Sequence, residues 1–248
     1  RILGLNGKDE LVIKNIVTKY SYLTQTTWSD TDNVDDILFT SKVTPLLQDV
    51  FTTAQNDKCI YMTPLSWLTP MFKHWRGDII FRFQFICTSM HKGRVRISYD
   101  PRGTTATNLI NTVDTYSSLK THIVDLGETQ DIELRIPYQQ ATSYQQVENN
   151  YTAVNFDTTK TPTFSYNPVF DNGMITMRVQ TALTTNIGVG SMKILVWVRA
   201  ADNFELGNPN NIATSISTFA PQSGTEVDLP VTTKEILGEG FESINPDR

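Results

Sequence analysis

From Ile79 to Cys87 an apolar side chain recurs at every second position, with polar side chains between them at the centre. Ile79, Phe81, Phe83, Phe85 and Cys87 share one face, and Arg82 and Gln84 fall on the other. A period of two is the mark of a half-buried β-strand. After Gly93 the pattern resumes, with Val95, Ile97 and Tyr99 inward and Arg94, Arg96 and Ser98 outward. The short Met90-His91-Lys92 link predicts that the two runs form a hairpin. Two further runs read the same way. Ile132, Leu134 and Ile136 alternate with Glu133 and Arg135; Ile175, Met177, Val179, Thr181 and Leu183 alternate with Thr176, Arg178 and Gln180.

Met192 to Ala200 departs from this rule. Ile194, Val196 and Val198 share one face, but Leu195 and Trp197 make the other face apolar too. Such a strand calls for cover on both sides, from a neighbouring chain or from a loop of its own. Weaker strand patterns cover Tyr20 to Trp28, Asp36 to Val43 and Thr121 to Leu126. Short helices are expected over Glu10 to Val17, Pro45 to Phe51 and Pro64 to Met71, where proline suits a first turn. The long connections 101–120 and 139–173 are of the kind that carries binding or assembly contacts.

Composition agrees with the pattern. Threonine, β-branched and suited to a pleated surface, occurs 34 times in 248 residues, and the chain is read as all-β. A net charge of −5 argues against a domain that grips nucleic acid through a broad basic face, so any RNA contact would be local. No apolar stretch approaches the roughly 20 residues of a spanning helix, and no membrane insertion is expected. The first residue, Arg1, is read as the scar of excision from a longer precursor. Beyond Gly207 the sequence turns to Asn, Pro, Thr, Ser and Gly and reads as an extended arm.

Little catalytic chemistry is legible. Nucleophile-elbow, phosphate-loop and dinucleotide motifs are missing. His74, His91 and His122 are scattered, so neither a metal nor a cofactor is expected. Cys59 and Cys87 are read as two buried free thiols. Arg76-Gly77-Asp78 could serve adhesion if exposed, but it runs straight into the strongest strand, where Gly77 would ease the chain past a close neighbour. Asn150-Tyr151-Thr152 is a glycosylation sequon read as accidental.

Residues 69–87, which include His74-Trp75-Arg76-Gly77-Asp78, together with His91 to Gly103, which ends in Tyr99-Asp100-Pro101-Arg102-Gly103, resemble the large capsid proteins of picorna-like viruses. Thr121 to Gly127, Asp131 to Tyr138 and Met192 to Phe204 continue the resemblance in order. It implies an eight-stranded antiparallel jelly-roll β-sandwich, with short helices in the loops, over residues 20–207. Arms at 1–19 and 208–248 would assist assembly. It also implies a structural rather than enzymatic role: a subunit of a non-enveloped icosahedral shell around a positive-strand RNA genome. Copies of itself and sister capsid proteins would be its partners, with RNA on the inner face, in the virion and in host cytoplasm during assembly.

Trp75, Gly77, Gly93, Tyr99, Pro101 and Gly103 are the structural motif residues of that resemblance. Asp202-Asn203-Phe204 is the candidate precursor-cleavage motif, because dicistrovirus-like relatives carry Asp-Asp-Phe there. Asn203 cannot ionise, so any such chemistry would rest on Asp202; otherwise the tripeptide caps the strand end and anchors Phe204. The readings from other classes are a jelly-roll carbohydrate-binding module and a secreted adhesive sandwich.

Overall fold

The computed structural model describes residues 12–52, 58–103, 119–149, 153–162, 166–185 and 190–210. The sequon, most of the 101–120 connection, the N-terminal arm up to residue 11 and the C-terminal arm beyond residue 210 lie outside the described residues. In chain order the elements are α1 (Ile13–Val17), β1 (Ser21–Ser29), β2 (Ile37–Lys42), β3 (Gln48–Thr52), β4 (Lys58–Met62), α2 (Pro64–Leu68) and a 3-10 turn (Thr69–Met71). Then come β5 (Phe72–Arg76), β6 (Ile79–Ile86), β7 (Lys92–Asp100), β8 (Lys120–Asp125) and β9 (Asp131–Ile136). The chain continues through β10 (Gln145–Gln146), β11 (Phe156–Asp157), β12 (Met174–Thr184), β13 (Ser191–Ala200) and β14 (Glu205–Pro209).

Two antiparallel sheets form the sandwich. One runs β1-β13-β6-β9 and the other β11-β2-β12-β7-β8. The eight long strands are therefore divided four and four between the sheets in the jelly-roll order. Their inner faces supply the core: Phe81, Phe83, Val196 and Val198 from the first sheet, and Phe39, Val95, Ile97, Ile175 and Met177 from the second. Phe39 meets Phe83 edge to face across the core, ring centres 5.8 Å apart and planes at 72°, a favoured aromatic geometry.

Three expectations are corrected. β6 and β7 do not form a hairpin. β6 pairs with β13 and β9, whereas β7 pairs with β12 and β8 in the opposite sheet, and the exposed link carries the chain from one sheet to the other. Pro45 to Phe51 is not a helix: Gln48–Thr52 is β3, paired with β4, because Gln48 and Leu47 are drawn into the fold while Phe51 stays exposed. Cys59 and Cys87 are free but half-buried rather than buried, and partial burial pushes the Cys87 thiol up from its ordinary pKa.

The outward faces hold more than alternation implies. On the second sheet Arg96, Ser98 and Arg178 point away from the core yet are buried. Arg96 donates to Asp35 at 2.7 Å and to Gln180 at 3.1 Å, and Arg178 donates to the backbone carbonyl of Asp35 at 2.9 Å. A register shift in β12 after Val179 turns Thr181 out to solvent. On the first sheet Leu195 and Trp197 are half-buried, and Trp197 packs edge-on against Tyr22 of β1, 5.6 Å away. Part of the cover that Trp197 called for thus comes from the same chain.

Candidate functional site

The motif residues other than Gly93 gather where β6 begins and β13, β9, β7 and β2 end. A third, small sheet of β10-β5-β14 sits at this end. Its centre is Trp75 on β5, completely buried. Phe204 stacks on the indole with centres 6.1 Å apart, and Tyr138 meets it edge-on at 5.8 Å. Because Trp75 pairs with Gln145 on one side and Leu206 on the other, the ring is fixed by backbone ladders as well as by packing.

Gly77 makes the approach of Phe204 feasible. Its φ is +120°, and a Cβ at that position would stand 2.5 Å from the Cα of Phe204 and 2.7 Å from the carbonyl oxygen of Asn203. A side chain would face both a disfavoured backbone conformation and a collision. Asp78 follows, only 8% exposed. Its carboxylate accepts from Arg135 Nε at 2.6 Å and from the Tyr138 backbone N–H at 3.0 Å. Its own N–H donates to Asn203 Oδ1 at 3.3 Å. Burial alone would raise the Asp78 pKa, but the donors from Tyr138, Asn203 and Arg135 outweigh it and hold the carboxyl below its ordinary range. Of Arg76-Gly77-Asp78, only Arg76 is exposed.

Among the three residues of the candidate cleavage motif, Asn203 and Phe204 are engaged in this packing, while Asp202 is exposed. The Phe204 N–H closes a turn onto the carbonyl of Ala201 at 3.1 Å, and the Ala201 N–H reaches the carbonyl of Asp78 at 2.9 Å. Nothing in the sequence ties Asp78 and Arg135, 57 positions apart, to this motif.

Tyr99, Pro101 and Gly103 form the neighbouring half of the same end. The Tyr99 hydroxyl, buried, donates to the carbonyl of Asn172 at 2.9 Å. The Tyr166 hydroxyl donates to the carbonyl of Pro101 at 3.1 Å, and the Tyr166 ring lies against Gly103. Asn172 joins the halves. Its Oδ1 accepts from the Gln139 N–H at 3.0 Å and its Nδ2 donates to the Pro137 carbonyl at 2.9 Å. Gly93 lies apart, at the opposite end, where a Cβ would come within 2.7 Å of the Trp28 indole. Among the described residues no three His, Cys, Asp or Glu side chains are grouped to hold a metal ion, and no helix is long and apolar enough to cross a membrane.

The fold is thus a two-sheet jelly roll with a packed, hydrogen-bonded motif at one end of the sandwich. A family model described as picornavirus capsid protein matches residues 14–168. The chain belongs to that family, and it is a viral capsid subunit.

The structural polyprotein of cricket paralysis virus is 28% identical over 137 residues, 54% of this chain and 15% of that polyprotein. The genome polyprotein of Ectropis obliqua picorna-like virus is 27% identical over 169 residues, 65% of this chain and 5% of that polyprotein. The chain thus corresponds to a small part of each. A solved structure of a marine algae virus of the order Picornavirales superposes with a TM-score of 0.78 at 26% identity, over 88% of this chain and 82% of the other. The Triatoma virus empty capsid shares the fold with a TM-score of 0.70 at 24% identity, over 91% and 83% of the two chains.

Proposed function

We propose that this subunit is excised from a polyprotein and assembles with sister capsid proteins and copies of itself into an icosahedral shell around a positive-strand RNA genome, without catalytic turnover of its own. Membership of the capsid family carries this reading, and the polyprotein relatives support the excision. The jelly roll of residues 20–207 supplies the wall; residues 1–19 and 208–248 are the assembly arms. β14 runs through the boundary at 207 to Pro209, and the Asn210 N–H reaches the carbonyl of Met71 at 2.7 Å, so the second arm leaves from an anchored point. With a net charge of −5, contact with RNA is local and most neutralisation falls elsewhere.

Asp202-Asn203-Phe204 is assigned a structural role, supported by the stacking of Phe204 on Trp75 and the bond from Asp78 to Asn203. The adhesive reading loses its support with the burial of Asp78. The carbohydrate-binding reading finds on the second sheet a buried network of arginines, Asp35 and Gln180 where it needs an aromatic platform.

Co-expression with the sister proteins, followed by sedimentation and electron microscopy, tests the assembly. Closed particles containing this chain are expected; recovery as monomer alone would overturn the reading. For the motif, Asp202→Asn in an infectious clone should leave precursor processing unchanged, and uncut precursor in assembled particles would make Asp202 catalytic after all.

A further inference from the structure

Asp171 has no exposed surface. It closes the turn that precedes β12 and sits beside the segment that joins the two halves of the motif-bearing end. Its Oδ2 accepts from the Asn167 N–H at 2.9 Å and faces Lys42 Nζ, itself buried at the end of β2, at 3.4 Å. Among the described residues Asp171 Oδ1 has no donor. The side chain of Gln145 donates to the carbonyls of Pro168 and Asp171 at 3.0 and 2.8 Å, so the turn is bonded to the β10 segment too. From that segment Glu148 acts on Asp171 as a like charge, and among the described residues its buried Oε2 also lacks a donor. Among the described residues Tyr166 feels both Asp171 and Asp100, and Arg102 pairs with Asp100 at 3.6 Å.

Buried Asp171 thus has one ammonium beside one oxygen, a second carboxylate acting on it as a like charge, and, among the described residues, no donor to its other oxygen. A carboxylate in that position is costly, and a proton relieves it. We propose that the Lys42–Asp171–Glu148 cluster is a proton-operated clasp, which grips the 166–173 turn more tightly when Asp171 is protonated and loosens it when Asp171 is charged. The direction follows from linkage. Burial pushes the carboxyl up to about 6 from an ordinary 3.8, against the pull of Lys42 and the Asn167 N–H, with Glu148 adding to the rise. A turn that opens returns Asp171 to water and to its ordinary proton affinity. Acid therefore favours the closed turn, and the preference fades as pH rises through about 6.

The turn is tied to β2 by the Asn172 N–H on the Val43 carbonyl at 2.8 Å and the Val43 N–H on the Gly173 carbonyl at 2.9 Å. Asn172 also bridges Tyr99 to Pro137 and Gln139. Tightening the clasp therefore tightens the joint between the two sheets at the end where the motifs lie.

Amide hydrogen exchange on the full chain reads the clasp at Val43 and Asn172. After correction for intrinsic exchange, their protection should rise about tenfold between pH 7.5 and pH 5. Asp171→Asn should abolish that dependence and hold protection at pH 7.5 near the wild-type value at pH 5. Glu148→Gln should move the midpoint down and Lys42→Met should move it up; these opposite shifts decide the matter if Asp171→Asn does not fold. Protection independent of pH, falling with acid, or unmoved by Glu148→Gln and Lys42→Met would overturn the proposal.

Discussion

Gly77 and Phe204 are fitted to each other: the missing Cβ of one is the space that the backbone of the other occupies. Gly77→Ala must therefore shift the chain after β13 as well as strain its own backbone, at a cost of about 3 kcal/mol or more. Phe204→Ala leaves the space open and empties the face of Trp75, and about 3 kcal/mol of stability should be lost. Urea denaturation of the isolated subunit compares the two; a cost below about 1 kcal/mol for either would contradict this packing.

Asp78 adds a pH signature. Its folded-state carboxyl titrates below the ordinary range, so its bonds stabilise the fold above the ordinary carboxylate pKa, and this contribution is lost as pH falls through the lower folded value. Asp78→Asn should flatten the acid limb of a stability-versus-pH curve below about pH 4. A variant with an unchanged acid limb would remove Asp78 from this role.

Among the elements, those with strict alternation were legible and those held by distant partners were not. β6 and β9 follow their apolar pattern closely because each needs only one buried face. That β6 and β7 belong to opposite sheets was hidden, since a strand pattern is the same whichever sheet receives it. β5 and β14 were missed as strands for a related reason. Phe72–Arg76 and Glu205–Pro209 alternate poorly, and their ladder joins residues more than 120 positions apart. The aromatic pair Phe39–Phe83 tests the joint between the sheets. A double-mutant cycle to Leu should give a coupling of about 0.5–1.5 kcal/mol. Phe51→Ser on the exposed face of β3, by contrast, should change stability by no more than about 0.5 kcal/mol.

At the scale of the molecule, the end of the sandwich that carries the motif residues is also the end where an exposed Arg76, a buried Asp78 and the Asp171 clasp converge. A subunit built this way has one joint that couples both sheets, and damage there should appear in assembly before it appears in secondary structure. Asn172→Ala removes the bonds to Gln139 and Pro137. Its circular dichroism should remain that of a β-sandwich, while the yield of closed particles on co-expression with sister proteins should drop several-fold. Full particle yield would show that this joint is dispensable for assembly.

The sequence alone determined the eight long strands, most of their inward faces and the capsid resemblance, because alternation and short motifs are properties of neighbouring residues. It placed Trp75 and Gly77 in one motif and Phe204 in another without reason to join them. Only the tertiary structure decided that Gly77 makes room for Phe204, that Asp78 belongs to Arg135, and that outward-pointing Arg96 and Arg178 are buried with Asp35. These depend on which strand lies beside which, and on what covers the sheet faces. Burial and ion pairing are set by the whole fold, whereas the period of two is set by the pleat of a single strand.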